Sequence, residues 1–352
     1  MDAKITKKRI GGLLSYDWLK IVAICVAAVI LLLILFTSLA TRLTAGQSFY
    51  VFTYIGTYVR TEYELEDMQE GGALSYDIQE YITHEISETG YEDTILTTRM
   101  TTGDGDVLIA ADTGDETGDD GSLTSLSRLK EFLVGYGSYC AWLGTDGRDY
   151  SYTTDGYTYS YTNYFTACAA YLDRFYDAGY EDKVFAGDTD LDADAAIDTE
   201  AVRECFLARN GNDRRYRKES AVEEGIEDEA ERIGALRDAF LNVWTSVQSE
   251  DGVIQVNTLE FSYDTDSSGT VDEDEYYSWQ MTFDLSRLNA ISEYLYNAEG
   301  STGGEALNMC VLSCGVEEDE EDLYYEPFTY LAWMVETFNQ QNGEACWTVI
   351  KS

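Results

Sequence analysis

Oxygen-bearing side chains recur at the spacing of a cation cage at Asp264, Asp266, Ser268, Thr270, Asp272 and Glu275. Alternate positions aim their oxygens at one point, Gly269 allows the sharp turn, Thr270 offers its carbonyl, and Glu275 can close the shell with two oxygens. An all-oxygen set of this kind suits a hard divalent ion and needs neither thiol nor imidazole. The segment 264–275 is therefore the candidate metal site, with one structural calcium ion as its expected cofactor.

The spacing resembles the twelve-residue EF-hand calcium loop, but the flanks do not. Phe261 and Tyr263 before it, and Tyr277, Trp279, Met281 and Phe283 after it, alternate with period two, which is strand patterning. The expectation is a calcium loop joining two strands; the competing reading is an acidic hairpin turn. Asp190, Asp192, Asp194 and Asp198 imitate the spacing with Ala195 in place of the glycine, a weaker match.

Other chemistry is poorly provided for. No Gly-rich phosphate loop, Gly-x-Ser-x-Gly elbow or HExxH is present. A triad would have to use the lone histidine, His84, read as a surface residue. Carboxylates are so abundant that no pair singles itself out as glycosidase-like. The expectation is a protein that is not an enzyme, with a cell-wall or glycan hydrolase as the exception. A formal charge of -43 repels phosphate backbones, so nucleic acid is excluded as a partner, while cations are attracted. The Tyr/Thr alternation of 150–164 predicts an aromatic hairpin, a surface that can line a sugar or peptide groove or simply pair its rings across strands.

Residues 21–40 are uncharged and rich in Ile, Leu, Val and Ala, preceded by Lys4, Lys7, Lys8, Arg9 and Lys20. This predicts a cytoplasmic basic segment 1–20, a transmembrane helix over 21–41 and an extracytoplasmic domain over 42–352: a single-pass cell-membrane protein with its N-terminus inside. A signal peptide ending at Ala40 is the competing reading. Cys140, Cys168, Cys205, Cys310, Cys314 and Cys346 allow disulfides or buried free thiols, with Cys310 and Cys314 read as core positions, the first in a strand over 309–313 and the second at its end.

The elements expected to position the loop begin with strand 48–55, helix 57–69, an extended stretch 74–82, helix 91–101 and strand 107–110. This order implies a parallel α/β sheet. Helices follow over 123–134, 163–178, 199–209 and 219–247, the last with Val222, Ile226, Ile233, Leu236, Phe240 and Val243 on one face. Strands 253–263 and 277–285 and helices 286–297 and 328–339 complete the chain. The basic cluster Arg214, Arg215, Tyr216, Arg217 and Lys218 is read as neutralising nearby carboxylates.

The turn Met100-Thr101-Thr102-Gly103-Asp104-Gly105-Asp106-Val107-Leu108-Ile109, with the strands and helices of 48–110, resembles the first lobe of the extracellular solute-binding proteins of ABC importers, without the proline of their turn. That resemblance implies an α/β, two-lobed solute-binding-protein-like outer domain. It further implies a small ligand (sugar, peptide or amino acid) between the lobes, and a transporter partner or a sensor role. The alternative is a calcium-stabilised cell-surface structural or interaction protein without a small-molecule ligand.

Overall fold

The computed structural model describes residues 18–39, 46–117, 123–154, 157–211, 213, 215–262, 276–313 and 324–350. The chain divides into two units, residues 1–44 and 45–352. The first holds helix α1 (Trp18–Leu39). The transmembrane helix expected over 21–41 is overturned: among the described residues no helix is long and apolar enough to cross a membrane.

In the second unit, the chain runs β1 (Ser48–Thr53), β2 (Thr57–Val59), α2 (Leu65–Glu70), β3 (Glu80–Glu85), α3 (Glu92–Thr102) and β4 (Val107–Ala111). It continues through β5 (Glu116–Thr117), β6 (Leu123–Ser125), α4 (Arg128–Tyr136), β7 (Tyr150–Thr154), β8 (Tyr157–Tyr161), α5 (Tyr164–Asp173), α6 (Tyr180–Phe185), α7 (Thr199–Asn210) and α8 (Glu219–Gln248). The last elements are β9 (Gln255–Ser262), β10 (Tyr276–Asp284), β11 (Leu295–Asn297), β12 (Leu307–Val311), α9 (Glu326–Phe338), β13 (Gln340–Gln341) and β14 (Glu344–Ala345).

Six strands form one sheet in the order β3-β1-β4-β12-β10-β9. The first three are parallel, as the strand-helix-strand order implied, but β12, β10 and β9 join antiparallel, so the sheet is mixed. The expected two lobes are likewise corrected: residues 45–352 are one unit around this sheet. Central strands β4 and β12 are buried throughout, and their alternation sorts the core. Phe49, Val51, Val107, Ile109, Met309 and Val311 face one cluster, shared with α5, α8 and α9. Phe52, Leu108, Ala110, Cys310 and Leu312 face the other, shared with α3 and α4.

Three local expectations fail for stated reasons. Residues 57–69 give β2 and the short α2 rather than one helix, because 57–59 pair antiparallel with β11. Residues 286–297 form turns and β11 instead of a helix, for the same pairing. The helix expected from 123 starts only at Arg128: Leu123 is held in β6 beside β5, and Ser127 caps the helix by accepting from the Lys130 N–H.

Helix α8 closes on α7 at Gly225, where an added Cβ would meet the Phe206 ring and come within 2.7 Å of Tyr216. Gly225→Ala is expected to cost about 1–3 kcal/mol through overpacking, read as a lowered urea midpoint with an unchanged slope.

Candidate functional site

The long helix α8 carries an irregularity in its apolar stripe. Positions 226, 233, 236 and 240 are Ile, Ile, Leu and Phe, but the position between the first two is Glu229, followed three residues on by Arg232. Both are buried with the apolar face, so the helix brings an ion pair into the core. Arg232 donates to Glu229 at 2.8 Å and to the Tyr171 hydroxyl at 2.6 Å. Arg209, from α7, binds Glu229 at 2.6 Å, and the Tyr76 hydroxyl donates to the same carboxylate at 2.8 Å. The network runs on to Asp77, 3.2 Å from Arg209 and 2.8 Å from Arg215. Arg215, taken from the basic cluster of the sequence, therefore does neutralise carboxylates: Asp77 and Asp213.

Burial pushes the Glu229 carboxyl up, but the guanidinium groups of Arg232 and Arg209 outweigh it and hold it down at about 2. Arg232 turns its Nε and one terminal nitrogen on Glu229 and the other terminal nitrogen toward Glu326. Glu326, in the first turn of α9 behind Pro327, is left with the weaker share: its Oε1 lies 3.5 Å from Arg232. Its Oε2 accepts from the Ser75 N–H at 3.2 Å and from the Thr329 hydroxyl at 3.3 Å. Burial pushes this carboxyl above its ordinary range despite Arg232 and Ser75.

Over Glu326 opens a pocket of about 320 Å³, lined by Gln69, Gly72, Leu74, Ser75, Tyr76, Asp228, Glu231, Arg232, Ala235, Glu326 and Thr329. That volume falls in the range of small-molecule sites. The Ser75 hydroxyl, buried on its wall, makes no well-aligned hydrogen bond, yet lies near enough to Glu326 to favour its charge. At the rim, partial burial and then the crowd of Glu224, Glu231 and Glu227 push the Asp228 carboxyl up. The buried charges Asp77, Glu229 and Glu326 are matched by Arg209, Arg215 and Arg232, so Asp228 and Glu231 leave the pocket with an excess of negative charge.

The calcium ligands named above, Asp264, Asp266, Ser268, Thr270, Asp272 and Glu275, lie outside the described residues. Their flanks are β9 and β10, antiparallel with Ser262 opposite Tyr276, so the segment joins two strands and not two helices. Cys314 also lies outside, while Cys310 is buried in β12. In the acidic stretch before α7, Asp188 and Asp192 accept from backbone N–H groups two residues on, and Asp198 caps α7. Among the described residues no His/Cys/Asp/Glu group is arranged to hold a metal ion.

His84 is half-buried on β3 rather than exposed, its ring 6.0 Å from that of Phe52. The hairpin β7–β8 forms as expected, and its rings turn to packing: Tyr150 stacks on Trp142 at 4.2 Å, and Tyr152 meets Trp279 at 6.2 Å. Comparisons with protein families, curated proteins and solved structures find no match for this chain.

Proposed function

We propose that residues 45–352 are a solute-binding module whose ligand is a small organic cation, a protonated amine, received over Glu326. The observation that carries this reading is a buried carboxylate on the pocket wall that shares its nearest guanidinium, 3.5 Å away, with Glu229. An ammonium group would give Glu326 Oε1 a charge-assisted donor, relieve the repulsion around Asp228 and rest its carbon chain on Leu74 and Tyr76. A carboxylate ligand would meet the excess negative charge unaided. One structural calcium ion at 264–275 belongs to the same proposal.

Calorimetric titration of the full chain with butylamine, 1,4-diaminobutane and butyrate, at matched ionic strength, tests it. Both amines should bind and butyrate should not, and Glu326→Gln and Asp228→Asn should each weaken the amines about tenfold or more. Because both carboxyls are raised, affinity should decline at a pH above the ordinary carboxylate range as acid is added. A second reading, an interaction protein without a small ligand, is favoured by the lack of separate lobes; on it the amines bind no better than sodium chloride, and that result would sink the pocket.

A further inference from the structure

We propose that the cavity beside hairpin β7–β8 is a second ligand site, one that takes a neutral saccharide ring. It measures about 280 Å³, just under the range of about 300–1,000 Å³ for most small-molecule sites, which suits a single ring at the end of a longer chain. Its floor is the extended segment 140–142, where Cys140 bridges to Leu312 at the end of β12 and Trp142 to Asn163 just after β8. The Ala141 N–H donates to the Val311 carbonyl at 2.9 Å and the Tyr164 N–H to the Trp142 carbonyl at 2.9 Å, so backbone pairing on both sides fixes that floor. The cavity shares no lining residue with the pocket over Glu326.

Four rings line it, those of Trp142, Tyr159, Tyr161 and Tyr324, and each is held in place by the protein itself. Trp142 stacks on Tyr150 at 4.2 Å, and its Nε1 donates to the Arg148 carbonyl at 3.0 Å. Tyr159 and Tyr161, two residues apart on β8 and so on one face, both stack on Tyr152, at 5.1 Å and 6.2 Å. The Tyr324 carbonyl accepts from the Tyr164 hydroxyl at 2.9 Å, and the two rings meet edge-on at 5.2 Å. Platforms fixed in this way lose little freedom on binding. Among the described residues the rest of the lining is Cys140, Ala141 and the hydroxyl-bearing Ser138, Ser160, Thr162 and Ser313, with no Asp, Glu, Lys, Arg or His. An ionic ligand finds no counter-charge there, and a purely apolar one strands the hydroxyls. A saccharide ring answers both features: its C–H faces rest on the negative faces of the aromatic rings, and its hydroxyls exchange hydrogen bonds with those of serine and threonine. A quaternary ammonium uses the rings but offers the hydroxyl oxygens no donor.

The test is calorimetric titration of the full chain with four neutral disaccharides, maltose, cellobiose, lactose and N,N′-diacetylchitobiose, and with choline chloride. At least one disaccharide should bind, with an affinity that added sodium chloride leaves unchanged, because no ion pair forms. Tyr159→Ala should weaken that binding about tenfold and Tyr159→Phe much less. Tyr91→Ala, which removes an exposed tyrosine outside the cavity, should leave it at the wild-type value. Where Tyr159→Ala loosens the hairpin, read by near-UV circular dichroism, Ser138→Trp decides instead: it adds bulk at an exposed position of the lining and should abolish binding. Silence from all four disaccharides, binding of choline alone, binding that salt abolishes, or an equal loss in Tyr91→Ala overturns the proposal.

Discussion

Glu229→Gln is expected to lower the unfolding free energy by about 3–5 kcal/mol at neutral pH, the cost of leaving buried guanidinium groups without their counter-charge. The carboxylate holds both Arg232 and Arg209, at 2.8 Å and 2.6 Å, from a side chain that water does not reach. An amide of the same shape keeps one acceptor but no charge, so the loss is chiefly electrostatic. Glu227→Gln, on the exposed side of the same helix, should stay within about 0.5 kcal/mol of wild type. Urea melts of the three proteins give these values directly.

The pH dependence has a definite sign. Glu229 is held at about 2 in the folded chain, against an ordinary value of 4.5. Its contribution of roughly 3 kcal/mol is full above about pH 4.5 and is lost as pH falls toward about 2. The gap between wild type and Glu229→Gln should therefore close across that window. Glu326 acts oppositely: its carboxyl is raised, so its charged form weighs against folding and protonation removes that cost as pH falls through its folded value. Equal slopes for wild type and variant between pH 5 and 2 would remove the network from its proposed role.

Much of the framework can be read from side-chain period. The β-rich run of β1, the apolar run of β4 and the apolar stripe of α8 report burial directly, and those elements stand where the pattern puts them, while β12 begins two residues before the strand expected over 309–313. The pattern is weakest where pairing between distant segments decides. Residues 57–59 and 295–297 take strand form only because β2 and β11 meet, and neither stretch contains that information alone. The count of lobes is of the same kind: the antiparallel joining of β12 to β4 merges the two halves into one sheet. The candidate site left one local trace, a Glu inside an apolar stripe with an Arg three residues later, which reads as an ordinary helix-surface pair until the stripe is followed through it. Asp77 and Glu326 left no trace, because their partners come from α7, from Arg215 and from α8.

Calcium is expected to raise the melting midpoint of the wild-type chain and to do so much less for Asp264→Ala and Glu275→Gln. The proposal places six oxygen-bearing residues of 264–275 around one ion, between strands whose last described pair is Ser262 with Tyr276. Loops of this class in structural roles bind at about 10⁻⁴ to 10⁻³ M, and an ion at a hundredfold excess over its dissociation constant adds about 2.7 kcal/mol to the folded state. With strands on both sides there is no helix pair to open, so the effect should be stability rather than a switch. Without the ion the clustered carboxylates repel one another, and chelation should lower hydrogen-exchange protection in β9 and β10 before it does in β4. Aromatic neighbours make the site visible: directly beyond the loop Tyr277 stacks on Phe261 and Trp279 meets both rings edge-on, so tryptophan emission should shift with calcium in the wild type and not in Glu275→Gln. The diffuse charge of -43 also attracts divalent ions, but that attraction is shared by magnesium and weakened by salt. If both variants gain as much from calcium as the wild type does, or if magnesium substitutes fully, the ion acts on the acidic surface and the segment is a turn.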